Sequence, residues 1–216
     1  MNKLLEAFAE QHETAMRRNK EILTEFPWAY QPAYAAWCGQ FYFFVCHATR
    51  LLAASASRLG ITKDDLHIRF LDHMQEEKHH EKLFERDLQA MGHPVEELKE
   101  WPITSQLYQS QYYLVEHESP MALLGNIFYL EGMSIYAGPE ILSRTLAAHG
   151  SKACSFMKVH VSEDTDHIAK ATNALAKLNE EDLTAVQKSH AQTAYLFERL
   201  MDEIVIVTKR SLRNSA

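Results

Sequence analysis

AYAAWCGQFYFFVCHATRLLAASASRL, residues 33–59, is the stretch on which the fold turns. The helix it predicts carries apolar side chains on every side rather than in one stripe, and Gly60 closes it. Such a helix needs neighbours all round, so it belongs in the middle of a bundle. The flanking segments supply them. Residues 2–25 place Leu4, Leu5, Phe8, Ala15, Ile22 and Leu23 at helical offsets among charges, ending at Phe26–Pro27. A third helix is predicted from Thr62, with Asp65 completing a variant capping box, to about Met91, where Gly92 stops it. After a linker holding Pro94 and Pro102, helices are predicted over about 103–117 and from Pro120 to about Ala137. Ser119 is a candidate cap for the second of these, Gly138–Pro139 interrupts it, and 140–148, 151–178 and 181–210 complete the set. The expected fold class is all-α: a single domain over residues 1–216, a bundle of about seven to eight helices with a site between facing helices.

Composition narrows the function. A chain of 216 residues that is 46% hydrophobic can bury one substantial core. A net charge of −7 and a pI near 5.9 leave no basic stripe for phosphates, which argues against nucleic acid as a partner. The three cysteines, Cys38, Cys46 and Cys154, are odd in number and have no metal-finger spacing, so a reducing, cytoplasmic setting is expected. The opening MNKLLEAFAEQHETAMRRNK does not read as a signal peptide, and no apolar run reaches the length of a membrane span. There is no GxSxG elbow and no glycine-rich phosphate loop. Cys38 and Cys46 lie in the apolar helix, where burial raises a thiol pKa and makes it inert.

Three segments carry the chemistry. In FMKVHVSEDTDHIAK, residues 156–170, His160, Asp164 and His167 are spaced by four and three, within roughly 60° of one another on a helix. In HMQEEKHHEKLFERDLQAMG, residues 73–92, His73, Glu77 and His80 share a face in the same way, with Glu76 to one side. An acid followed three positions later by histidine is how helical bundles hold dinuclear iron or manganese. Glu131 has Phe128, Ile127, Leu124 and Ile135 as helical neighbours, so its carboxylate is protonated, paired with a base such as Arg50, or bound to metal. Each segment alone also reads as a charged surface or a structural ion pair. Together they offer Glu77, His80, Glu131, His160, Asp164 and His167, three histidines and three carboxylates, a donor set that suits two iron or manganese ions. His73, Glu76 and His47 are further candidates as ligands or as supports to ligands, although a lone histidine such as His47 is most often a satisfied core residue. Tyr42, Phe43, Phe128 and Tyr136 are candidates for a substrate pocket.

Four stretches bear a family resemblance: FYFFVCHATRLLAASASRL, HMQEEKHHEKLFERDLQAMG with its HxxEExxH pattern, MALLGNIFYLEG, and HVSEDTDH. Over about residues 30–200 the chain resembles the heme-oxygenase-like superfamily, specifically its iron-containing redox enzymes or heme-oxygenase-like diiron oxidases. Thiaminase-II-like and pyrroloquinoline-quinone-synthase-like proteins share the fold. The resemblance implies a bundle whose central helices enclose a pocket and a diiron site made by the same six residues. His73 stands where some diiron relatives carry a further carboxylate. The implied activity is that of a non-heme dinuclear iron oxidase or oxygenase, which uses dioxygen, an electron donor and a small organic substrate, and whose metal can be lost on purification. The alternatives are a metal-free member of the fold, thiaminase-II-like, a cofactorless oxidase or a small-molecule binder, and a heme-binding oxygenase with His12 as heme ligand. A homodimer stays open.

Overall fold

The decisive stretch forms two helices rather than one. The computed structural model describes residues 3–214, apart from the side chains of 163–167 and 211–214. Helix α1 spans Lys3–Glu25, α2 spans Gln31–Val45 and α3 spans Ala48–Ser57. At the joint, the His47 N–H donates to the Phe44 carbonyl three residues back at 2.9 Å, and the four-residue ladder resumes from Leu51 to His47. That tightened step bends the chain. It is held from outside, because the His47 ring stacks on Tyr108 at 3.7 Å between centroids and its Nδ1 lies 3.1 Å from the Tyr112 hydroxyl.

The predicted third helix is likewise divided, into α4 (Asp64–Glu76) and α5 (Glu81–Ala90), with a turn over Glu77–His80. No side-chain cap bond is made at the start of α4. Helix α6 spans Pro102–His117, with proline in its first turn, where a missing N–H costs nothing. The buried Gln40 fixes that start: its Oε1 accepts from Trp101 N at 3.0 Å and from Thr104 Oγ1 at 2.6 Å. Ser119 acts as expected, its Oγ accepting from Met121 N at 3.0 Å ahead of α7.

Helix α7 is continuous over Leu123–His149, and Pro139 lies inside it. The expected interruption at Gly138–Pro139 does not occur. Packing on both faces outweighs the one lost backbone hydrogen bond. Helices α8 (Ser155–Leu175) and α9 (Glu180–Asn214) follow, giving nine α-helices and no strand among the described residues.

Helix α7 is the axis, contacting α1, α8 and α9. Two of its glycines permit this. A Cβ at Gly125 would stand 2.1 Å from the Val186 carbonyl oxygen of α9, and one at Gly132 would stand 2.6 Å from His12 Cε1 of α1. The apolar core divides in two around this axis. One cluster gathers Trp28, Trp37, Phe156 and Ile141; the other gathers Leu51, Leu52, Leu123 and Ile127. Among the described residues no helix is long and apolar enough to cross a membrane.

Candidate metal centre

Where the two core clusters meet, three elements bring acids and imidazoles together. His73 lies in the last turn of α4, and Glu77 is the residue that ends that helix. The following turn contains His79 at φ 71°, the left-handed region that costs a residue with a Cβ about 1–2 kcal/mol. This turn presents His80 back to Glu77, with His80 Nδ1 2.9 Å from Glu77 Oε2. Glu131 comes from the middle of α7, and its Oε1 lies 3.1 Å from His73 Nε2. His160 comes from α8, its ring meeting that of His80 edge-on at 5.1 Å.

Glu77 joins the parts. One of its oxygens faces His73 at 3.4 Å and the other faces His80. It therefore belongs to two groups, His73–Glu77–Glu131 and Glu77–His80–His160, each with its donor atoms within 4.8 Å of one another. His73, Glu77, His80 and Glu131 are all buried, with Glu77 only 8% exposed. Burial pushes the Glu77 carboxyl up, but the hydrogen bonds to His73 and His80 outweigh it and hold the group well below the usual carboxylate range. Burial pulls His73 down, and the Glu131 and Glu77 carboxylates more than reverse that. The cluster thus keeps its negative charge and draws in positive charge. Its buried mixed carboxylate and imidazole donors are of the kinds that iron or manganese takes.

Helix α8 is held to this centre by a residue of α5. The Asp87 carboxylate accepts from Ser155 N at 2.6 Å and from Phe156 N at 3.0 Å, so it caps a helix to which it does not belong. Phe156 stacks on Phe84 of α5 at 3.8 Å and lies 4.1 Å from the His160 ring. The position of His160 is therefore set one turn upstream. A cavity of about 160 Å³ opens beside the cluster, and His73, Glu77, Glu131 and His160 contribute to its wall.

The sequence-predicted residues sort as follows. Glu77, His80, Glu131 and His160 come together, and His73 joins them. Asp164 and His167 lie outside the described residues. Glu76 turns outward to Lys170. His47 is spent at the α2–α3 joint. Arg50 is not the partner of Glu131, since it bonds the Cys46 carbonyl at the surface. The expected pocket residues are replaced by others: the wall includes Trp37, Phe41, Phe44 and Phe156, and Tyr42, Phe43, Phe128 and Tyr136 do not line it. The bend at His47 and the packing of α2 turn Phe41 and Phe44 inward, whereas Tyr42 points to Glu85, Phe128 packs on Phe8 and His12, and Tyr136 is exposed. Asp87 was missed because capping across the chain leaves no local spacing.

Fold and site together define a class: an all-α bundle with a heme oxygenase-like fold and a buried cluster of carboxylates and imidazoles at its centre. Within it, the chain belongs to the iron-containing redox enzyme family, whose model matches residues 35–201. A protein with a heme oxygenase-like fold from Shewanella denitrificans OS217 superposes with a TM-score of 0.80 at 19% identity, covering 97% of this chain and 94% of its own. A TenA homologue from Pyrococcus furiosus gives 0.71 at 16%, covering 93% and 99%. A CADD-like protein from Nostoc punctiforme PCC 73102 gives 0.66 at 17%, covering 92% and 96%. At these identities the likeness is one of fold. A comparison with curated proteins finds no match.

Proposed function

We propose that this chain is an iron-dependent oxidoreductase with a dinuclear centre, using dioxygen and an external electron donor to oxidise a small, largely apolar organic substrate. The observation that carries this reading is Glu77, a buried carboxylate shared by two groups of donors that converge from separate helices beside an apolar cavity. His73, Glu77 and Glu131 would hold one ion; Glu77, His80 and His160 the other. Asp164 and His167, which follow His160 at offsets of four and seven, are proposed to complete the ligand set. Bound iron supplies the one-electron redox chemistry and oxygen activation that side chains lack.

The chain supplies everything else. Glu77 and Glu131 offset cationic charge, and the apolar wall excludes water and strengthens electrostatics within it. The Asp87 cap fixes the helix that presents His160. His12 has no part in heme binding on this reading, because its Nδ1 lies 3.0 Å from His190 Nε2 and its ring packs against Gly132. We place the protein in the cytoplasm, where its three free thiols would stay reduced.

A second reading, a metal-free binder of the same fold, draws support from the His73–Glu131 contact at 3.1 Å, which balances charge without an ion. Anaerobic loading with ferrous iron separates the two. About two irons per chain are expected, with most of the binding lost in Glu77→Gln because both groups lose their common member. Fewer than one iron per chain, unchanged by that substitution, would leave only the metal-free reading.

A further inference from the structure

The cluster has two sides, and different members meet them. His73, Glu77, Glu131 and His160 help to wall the apolar cavity, whereas His80 does not line it. His80 instead lines a second, open cleft at the surface, with Leu83 of α5 and Val159 of α8 beside it. The turn that holds His79 at φ 71° thus presents His80 both to Glu77 and to this cleft.

The cleft is basic. Lys78, His79, Lys82 and Arg86 stand exposed around it, and no carboxylate among the described residues lines it. Four lysines elsewhere are paired: Lys63 with Asp182, Lys170 with Glu76, Lys177 with Asp65 and Lys188 with Glu118. Among the described residues, Lys78, Lys82 and Arg86 make no ion pair. The acids of the same segment have other partners: Glu81 faces His79 at 3.7 Å, Glu85 accepts from the Tyr42 hydroxyl at 3.5 Å, and Asp87 caps α8. Lys82 and Arg86 lie one turn apart on α5, about 6 Å along its axis, so with Lys78 they make a stripe. Exposed cations are worth little singly, so the stripe holds a partner that engages several at once, as an acidic protein face does and a small anion does not. The chain as a whole carries −7. An acidic partner is therefore repelled by most of the surface and admitted here, which fixes its orientation.

We propose that this cleft docks the electron donor, and that the donor is an acidic one-electron carrier protein of the ferredoxin or flavodoxin kind. Substrate and donor then approach the centre from different sides, past His73 and Glu131 on one and past His80 on the other. In each docking the carrier loses one electron and the iron centre gains it; no bond forms or breaks. The redox role rests on the oxidoreductase reading; the docking does not.

Calorimetric titration of the metal-free chain with a plant-type ferredoxin and with a flavodoxin, over a salt series, tests the docking alone. At least one carrier should bind, and more weakly as salt rises, because exposed charges are screened. The combined reversal Lys78→Glu, Lys82→Glu and Arg86→Glu should weaken that binding at least about tenfold. Lys3→Glu, Lys20→Glu and Lys209→Glu together make the same change in net charge on α1 and α9, and should weaken it less than about threefold. No binding of either carrier, equal losses in the two combined variants, or displacement by inorganic phosphate beyond that by chloride at equal ionic strength would overturn the assignment. If iron fails to load while these results stand, the redox role falls and the docking surface remains. If iron loads and neither carrier binds, the docking surface alone falls.

Discussion

At the scale of single residues, the structure fixes proton positions as well as contacts. Gln11 donates one amide hydrogen to the Gln187 carbonyl at 2.9 Å, so the other faces His190 Nδ1 at 3.1 Å. His190 must then carry its proton on Nε2 and donate to His12 Nδ1, 3.0 Å away. Neither ring can take a second proton without setting two donors against each other. Burial and neighbouring His12 pull His190 down to about 3, and burial lowers His12 as well. The sign follows: with a folded pKa below the ordinary 6.5, the unfolded chain binds more protons between the two values, so stability is full above 6.5 and is lost as pH falls toward about 3. Urea unfolding of the wild type from pH 7.5 to 4 should fall more steeply than that of His190→Gln, by up to about 1.4 kcal/mol per pH unit. Parallel curves would show that His190 is not buried neutral. Residues differ in how well sequence announced them. Glu131 was legible because a carboxylate amid apolar helical neighbours must be compensated. The His12–His190 pair was not, because its members are 178 positions apart and meet only through the α1–α9 packing.

At the scale of elements, helix existence was legible and helix continuity was not. Residues 33–59 and 62–91 each show one uninterrupted helical period, yet each is broken at a joint held by distant partners: Tyr108 and Tyr112 at His47, Glu131 and His160 around Glu77–His80. Pro139 misleads in the opposite direction, since tertiary packing carries α7 through it. Asp87 shows what such remote contacts are worth. It satisfies two N–H groups at the start of α8, and burial pushes its carboxyl up against the pull of those bonds. Asp87→Ala leaves both donors without an acceptor and should cost about 2–4 kcal/mol. Asp87→Asn keeps one of the two acceptor oxygens, though its NH2 then faces the other N–H, and should cost less than the alanine variant. Thermal or urea unfolding of the pair checks the order. Equal losses would mean that volume, not capping, is what Asp87 contributes. Iron stoichiometry should fall more in the alanine variant, because α8 carries His160.

At the scale of the whole molecule, α7 separates two apolar compartments and places Glu131 between them, and this depends on how closely neighbouring helices approach it. The sequence shows Gly125 and Gly132 as widely spaced glycines in an apolar helix, without indicating which neighbour each admits. Gly125 has the stricter demand. Its missing side chain makes room for backbone, the Val186 carbonyl at 2.1 Å and the His190 amide nitrogen at 2.7 Å from where a Cβ would stand. Backbone cannot swing aside as a side chain can, so α9 would have to move by about 1 Å or more. That motion would disturb the Gln111–Asn126–Thr193–Ser189 hydrogen bonds on the same interface. Gly125→Ala should therefore cost about 3 kcal/mol, although alanine improves intrinsic helix propensity by about 1 kcal/mol. Gly132→Ala meets a side chain instead, His12, which can turn away. Its loss should be smaller, and it should be partly relieved in the double variant Gly132→Ala with His12→Ala, whereas no side-chain truncation should rescue Gly125→Ala. Unfolding free energies of these three variants decide the matter: rescue at Gly132 together with a large loss in Gly125→Ala supports α9 as rigidly seated on α7, and equal tolerance at both glycines refutes it.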